Sequence, residues 1–309
     1  MSAWTAKGAA RPFDLLAYGD PNADYVFSAE RVPVADEKLV GRNLGIVPGG
    51  TVANVACAAS RLGLRTAAFG RVGRDGAGDI LVASNTAFGI SNAFLSRVEQ
   101  PTAAAMILVD AAGEKALVYA PMPGQAFDAH RLEDALAQSR LVYAMPYDLD
   151  EFQRLAGLAH ASGCRVAIDI EAAVAPTRER LVALLACADI VFMNQTGFTA
   201  TTPGEITPRT VSALLVHGPS IVTVTLGARG AIACTPDEGI YQAGFATRVV
   251  DATGAGDCFN GAFLCALLAG RPLDETLRFA CAAGALSVTQ TGARSALPTP
   301  EQVAALLSG

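Results

Sequence analysis

Short apolar, β-branched runs alternate along this chain with longer alanine-rich stretches whose apolar positions recur at helical spacing. The short runs predict strands over 14–18, 66–69, 141–144, 165–170, 190–193, 221–225 and 231–234. The longer stretches predict helices over 51–62, 78–88, 149–161, 177–186, 207–217, 254–269 and 273–289. Several strand runs are apolar throughout, as strands covered on both faces are. Alternation of this kind argues an α/β domain with a largely parallel sheet. Two stretches, 25–47 and 102–120, hold strand-like runs with no helix between them. Within the second, 103–109 and 114–120 flank Asp110-Ala111-Ala112-Gly113 and predict a β-hairpin. A small antiparallel sheet, its strands within 23–48 and 101–120, would gather these pieces and could act as a lid. Two ordinary surface excursions would read the same way.

Composition narrows the class. The 309 residues are 51% hydrophobic and 17% charged, enough to bury a large core. The formal net charge of −6, with no basic run, is a poor start for binding nucleic acid. A phosphate-handling protein of this charge must use backbone amides and a few cations. The odd number of cysteines, seven, without a C-x-x-C, gives zinc and redox readings little support. They read as small buried hydrophobes in a reducing cytoplasm. No apolar run reaches the roughly 18–20 residues a membrane span needs, so no membrane partner is expected. Met1 to Pro12 lacks the apolar core of a secretory signal, and 1–11 reads as a disordered tail before a single domain over 12–309. His130, His160 and His217 stand in no catalytic motif. There is no P-loop and no Rossmann fingerprint after the first strand.

The chemistry concentrates in 249–263. A β-type run ends at Val250, a glycine-rich turn follows, and a long apolar helix begins. The first turn of a helix leaves backbone N–H groups unpartnered, and with the helix dipole they form an anion site. Glycines at 254 and 256 let a phosphate approach the backbone. Asp257 would accept a proton from an attacking hydroxyl there. On spacing alone it reads equally well as an N-cap aspartate.

Asp251-Ala252-Thr253-Gly254-Ala255-Gly256-Asp257 resembles the D-T-x-G-A-G-D signature of the pfkB, or ribokinase-like, carbohydrate kinases, with Ala252 replacing the usual Thr. The resemblance extends over nearly the whole chain. It implies a ribokinase-like three-layer αβα sandwich, with a mostly parallel central sheet and a small β-sheet lid. It also implies Asp257 as catalytic base and Gly254, Ala255 and Gly256 as the anion hole. Gly19 to Asp24 is similar to the segment in which an Asn and an Asp hold sugar hydroxyls, roles that would fall on Asn22 and Asp24. Gly49-Gly50-Thr51-Val52-Ala53-Asn54, with Ala59 to Gly63, is similar to the family's first signature and implies substrate contacts at Gly50 and Asn54. Gly70 to Gly78 matches G-x-V-G-x-D-x-x-G and reads as a structural turn.

On the nucleotide side the resemblance implies ATP and Mg²⁺. Asn194 fits the first position of N-x-x-E, but Gly197 stands where the Glu that organises Mg²⁺ belongs. Thr225, Gly227 and Gly230 fall on a T-x-G-x-x-G segment, and Cys281 on the position that often presents an Asn to adenine. Thr291 to Ala296 resembles a loop that holds a monovalent cation such as K⁺ together with Asp251 and Thr253. The expected activity is ATP-dependent phosphorylation of a hydroxyl, a hydroxymethyl above all, on a small sugar or nucleoside. The competing expectation is a kinase-fold protein that binds a sugar or nucleoside with little turnover, for which Gly197 and Cys281 argue. Exposed edges of the lid sheet would offer a homodimer contact.

Overall fold

The computed structural model describes residues 11–124 and 128–309. Its main sheet has nine strands in the order β13-β12-β11-β10-β9-β8-β1-β4-β5. These are β1 (Phe13–Tyr18), β4 (Thr66–Gly73), β5 (Ser91–Val98), β8 (Ser139–Ala144), β9 (Arg165–Ile170), β10 (Ile190–Asn194), β11 (Ile221–Thr225), β12 (Gly230–Cys234) and β13 (Gly239–Ala243). Pairing is parallel from β11 to β5, and antiparallel where β12 and β13 close the other edge.

Strand alternation divides the core into two layers. Leu16 of β1 and Val191 and Met193 of β10 pack with α3 (Ala129–Ala137), α4 (Leu149–Ala161) and α5 (Arg178–Leu185). Leu15 and Ala17, with Ile190 and Phe192, pack on the opposite face with α1 (Thr51–Arg61), α8 (Ala255–Leu268) and α9 (Leu273–Ser287). The αβα sandwich implied by the resemblance is therefore present. No helix among the described residues is long and apolar enough to cross a membrane.

A second sheet has the order β3-β2-β6-β7, formed by β2 (Asn22–Ser28), β3 (Arg42–Gly49), β6 (Ala104–Val109) and β7 (Lys115–Ala120). β2 pairs parallel with β6 and antiparallel with β3, and β6–β7 is a hairpin. Asp110 Oδ1 ties its turn by accepting from the amides of Ala112 and Glu114, both at 2.9 Å. Register puts Asp24, Ala105 and Tyr119 in one row and Ile46, Tyr25, Met106 and Val118 in the next. Side chains alternate faces along each strand. The first row lines a cavity between the two sheets, and the second is the outer, apolar face.

Three differences from the sequence expectation have physical causes. The helix expected over 207–217 is broken into α7 (Pro208–Ser212) and a single 3₁₀ turn, Leu215–His217. Ser212 Oγ donates to the Arg209 carbonyl and competes with the helical ladder. β5 and β13, at the two sheet edges, carry mixed polarity that gives no buried-strand signal. Helix α6 (Gln195–Thr201) is too short for a periodic pattern. Of the expected tail, 1–10 lies outside the described residues, while the Arg11 guanidinium bonds the carbonyls of Leu136 and Ser162 at 3.3 and 2.5 Å.

Candidate active site

The carboxyl ends of β1, β8, β9, β10 and β11 open onto a cavity of about 990 Å³, with the small sheet on its other side. The strand order reverses at β1, and ligands of open α/β sheets bind in such crevices. Two helix N-termini face it. Gly50 caps α1 at φ 94°, Gly254 caps α8 at φ 78°, and neither receives a side-chain cap. Both positive φ angles favour glycine.

The α8 turn clarifies Asp257. The N-cap is Gly254, so Asp257 lies at the third helical position and its carboxylate is free to face the cavity. Ala255 N is drawn into a turn with the Ala252 carbonyl at 3.2 Å. The amides of Gly254, Gly256 and Asp257 have no backbone acceptor among the described residues. A Cβ at Gly254 would fall 2.6 Å from the Ala293 Cβ, whereas one at Gly256 would meet nothing within 4 Å. Gly254 thus permits a close approach of two loops, and Gly256 keeps the amides open.

Asp257 Oδ2 accepts from Asn54 Nδ2 at 2.8 Å. Close packing of α1 on α8 produces this contact. At Gly261 an added Cβ would lie 2.9 Å from Ala58 Cβ, Ala59 N and Val55 O, so only glycine lets the helices meet here. Asn54 Oδ1 in turn accepts from Arg294 Nε at 2.8 Å. The Arg294 fork also donates to Ser84 Oγ at 2.9 Å and the Gly49 carbonyl at 3.0 Å. Burial pushes the Asp257 carboxyl up to about 6, with the Asn54 bond opposing it and the Glu171 charge adding to it. Beneath it, Asn260 Nδ2 donates to Asp169 Oδ2 and to the Tyr143 hydroxyl, each at 2.9 Å. Burial, with the charges of Asp257 and Glu171, pushes Asp169 up to about 8.

At the β2 end, Asn22 Nδ2 donates to Asp24 Oδ1 at 2.5 Å, and burial raises the Asp24 carboxyl. A Cβ on Gly50 would come 3.0 Å from Asn22 Oδ1. Asn22, Asp24, Gly50, Asn54 and Asp257 all line the cavity, so the expected substrate residues meet in one place. Arg71, read from sequence as part of a turn, lies there too, paired with Asp20 at 2.6 Å with side chains only 11% and 13% exposed.

The nucleotide candidates divide. Asn194, Thr225 and Gly227 line the cavity. Asn194 also caps α6, its Oδ1 accepting from Gly197 N at 2.7 Å. Gly230 and Cys281 do not line it. Gly230 sits at φ 104°, where a Cβ would fall 2.0 Å from the Gln242 carbonyl, which makes it a backbone-contact residue. Cys281 is buried in the layer of α8 and α9, and burial pushes its thiol up to about 12. A Cβ at Gly197 would lie 2.3 Å from the Ile170 carbonyl, so α6 packs too tightly on the end of β9 for any side chain there. Sequence reasoning passed over Glu171. It lines the same cavity and its carboxylate accepts no hydrogen bond from the described residues.

Asp251 and Thr253 meet, and the Asp251 carboxylate is already bonded on both oxygens. Asp251 Oδ1 accepts from Thr253 N at 3.0 Å and Thr253 Oγ1 at 2.7 Å, and Oδ2 accepts from Gly292 N at 2.9 Å. Lys115 of β7 adds its ammonium, 3.4 Å from Asp251 Oδ1 and 2.5 Å from Thr253 Oγ1.

Comparison with known proteins identifies the family of the chain. The family model described as pfkB family carbohydrate kinase matches residues 13–300. A ribokinase of Haemophilus influenzae is 32% identical over 298 residues, covering 93% of this chain and 96% of that protein. An ATP-dependent ribose-1-phosphate kinase of Halopiger xanaduensis is 30% identical, covering 95% and 98%. The structure of Arabidopsis thaliana ribokinase complexed with ribose and ATP superimposes with a TM-score of 0.86 at 26% identity, over 96% of this chain and 99% of that one.

Proposed function

The chain belongs to the pfkB family of carbohydrate kinases, and we propose that it phosphorylates the hydroxymethyl oxygen of a neutral pentose, ribose first, with Asp257 as the base. The observation that carries this reading is the junction at α8: a carboxylate bonded to Asn54 at 2.8 Å, beside amides left open by Gly254 and Gly256. A base works best with a pKa near the operating pH, and Asp257, lifted to about 6, is ionised at neutrality yet basic enough to take the hydroxyl proton. The Gly254, Gly256 and Asp257 amides would stabilise charge on the transferred group, in the manner of an oxyanion hole.

The sugar end of the cavity supports a neutral substrate over a sugar phosphate. Its lining cation, Arg71, is bonded to the Asp20 carboxylate, and the cavity's other lining cation, Lys115, is bonded to Asp251 at the α8 turn. Asn22, Asp24 and Asn54 supply the donors and acceptors a diol needs. Asn194, Thr225 and Gly227 would contact the phosphates of ATP.

Mg²⁺ fits the residues present. Hard oxygen ligands suit it, and Glu171 offers a carboxylate unpartnered among the described residues beside Asn194, where Gly197 leaves no room for an acid on α6. Bound there with the nucleotide, the ion would neutralise phosphate charge. A monovalent cation at Asp251 and Thr253 fits poorly, because the carboxylate, with about four lone-pair directions, already faces Thr253 N, Thr253 Oγ1, Gly292 N and Lys115. ATP consumption and cysteines that are all free suit the cytoplasm. The outer apolar row of the small sheet, with Met106 and Val118 exposed, would seat a second copy. Sedimentation of Val118→Lys against wild type tests that contact.

The activity test is ADP release over ribose, ribose 1-phosphate, fructose and adenosine. Ribose should give the highest kcat/KM, and Asp257→Asn should lower it by about 10²–10⁴-fold. An Asp257→Asn enzyme of near wild-type rate would remove the base assignment.

A further inference from the structure

Asp251 raises a problem of charge. It stands three residues before the Gly254 cap, at the mouth of an anion-binding turn. Its oxygens accept from Thr253 N, Thr253 Oγ1 and Gly292 N, donors that suit an ionised carboxylate. The group is thus a fixed anion where phosphate charge must gather. Left alone it would repel a phosphate and cancel part of the α8 dipole.

The only positive group the described structure brings to Asp251 comes from the other sheet. Lys115 opens β7, and the two-residue period that turns Leu117 and Tyr119 towards the cavity turns Lys115 the same way. Its ammonium reaches Asp251 and Thr253 across 136 and 138 residues of sequence. Its side chain is 45% exposed, while that of Asp251 is 17% exposed, so a half-exposed cation meets a largely buried carboxylate.

We propose that the Lys115 ammonium is the built-in counter-cation of the anion-binding turn, so that Asp251 and Thr253 need no free monovalent ion. An ammonium and a potassium ion make the same demand here, oxygen ligands and one positive charge. Two cations against one carboxylate would repel each other, so the lysine excludes the ion rather than adding to it. Because the charge is carried on β7, it reaches the turn only when the small sheet lies over the cavity, which couples sheet position to anion affinity. Lys115 is in this respect a positioning residue. The inference rests on reading the Gly254 turn as the phosphate site.

The test compares wild type with Lys115→Met in potassium chloride and in tetramethylammonium chloride of equal ionic strength, by thermal melting and by ADP release. Lys115→Gln, more polar at this half-exposed position, serves as the second variant. Wild type should melt and turn over alike in both salts. Lys115→Met should melt about 2–4 °C higher in potassium, as a native-state ligand requires. Its turnover should fall roughly tenfold in tetramethylammonium and recover in potassium. A wild type stabilised by potassium to the same extent would overturn the proposal. So would variants indifferent to potassium. A wild type that melts normally but turns over no sugar would count against the kinase reading instead, and the melting comparison would still decide the role of Lys115.

Discussion

Replacing Asn54 by leucine should move the acid limb of the kcat/KM profile to higher pH. The Asn54 amide donates to Asp257 Oδ2 at 2.8 Å and is the strongest influence holding that carboxyl down against burial. Leucine has a similar volume and keeps water out, so nothing replaces the lost donor. A hydrogen bond to a charged group is worth about 1.5–3 kcal/mol, and one pKa unit is 1.36 kcal/mol, so the shift is about one to two units. Asp257 would move from about 6 to roughly 7–8. The base acts ionised, so the ionised fraction at pH 7 would fall from about nine-tenths to between a half and a tenth. Activity lost to titration must return as the pH is raised; activity lost to poorer sugar binding will not. The kcat/KM profile reports the free enzyme's base, so ADP release at low ribose across pH 5–9 separates the two. An acid limb that stays in place, or moves down, would refute the coupling of Asn54 to Asp257.

Three further outcomes follow from the same geometry. Glu171→Gln removes a charge that raises Asp257, so its acid limb should move to lower pH, opposite to Asn54→Leu, while calorimetry should find weaker binding of Mg²⁺-ADP. Asp257→Asn should stabilise the fold. A carboxyl raised from 3.8 to about 6 penalises folding increasingly as pH climbs through that interval, by up to about 3 kcal/mol above it. Urea midpoints should therefore favour the variant at pH 7.5 and converge with wild type near pH 4. Gly261→Val should cost about 1–3 kcal/mol by overpacking. It should also depress kcat, since its Cβ would sit 2.9 Å from Val55 O and part the helices that carry Asn54 and Asp257; unchanged kcat would mean the crossing does not set the site.

The glycine turn at 254–256 was legible because its need for positive φ and open amides is local, and local needs write themselves as short motifs. The same holds for Gly50 and for the strands buried on both faces. Asp257 was only half legible. Its spacing fitted an N-cap as well as a base, and the choice depended on Gly254 taking the cap, a backbone fact. Gly197 read as a missing acid; the Ile170 carbonyl 2.3 Å from its would-be Cβ gives the reason, and it lies at the end of β9, remote in sequence from α6. Arg294 and Lys115 were hidden for one cause. Each acts through a partner far along the chain, 240 residues away for Arg294 and Asn54, and no period or spacing records such a meeting. Glu171 was hidden because only the fold brings the end of β9 to the cavity.

Taken together, the distant pairs divide the cavity by charge. At the proposed sugar end Asp24, Asp257 and the Asp20–Arg71 pair would present acceptors without net positive charge, which suits a hydroxylated, neutral ligand. At the turn of α8, open amides and the helix dipole would favour an anion, and Lys115 would offset the Asp251 carboxylate. On the proposed reading Asp257, third in the helix, would stand at the boundary, its own amide turned to the anion and its carboxylate to the sugar. A single residue can serve both ends only if α1 lies close enough for Asn54 to hold the carboxylate, and Gly261 sets that distance. The site is thus built less by the motif that announces it than by a glycine one turn further along α8.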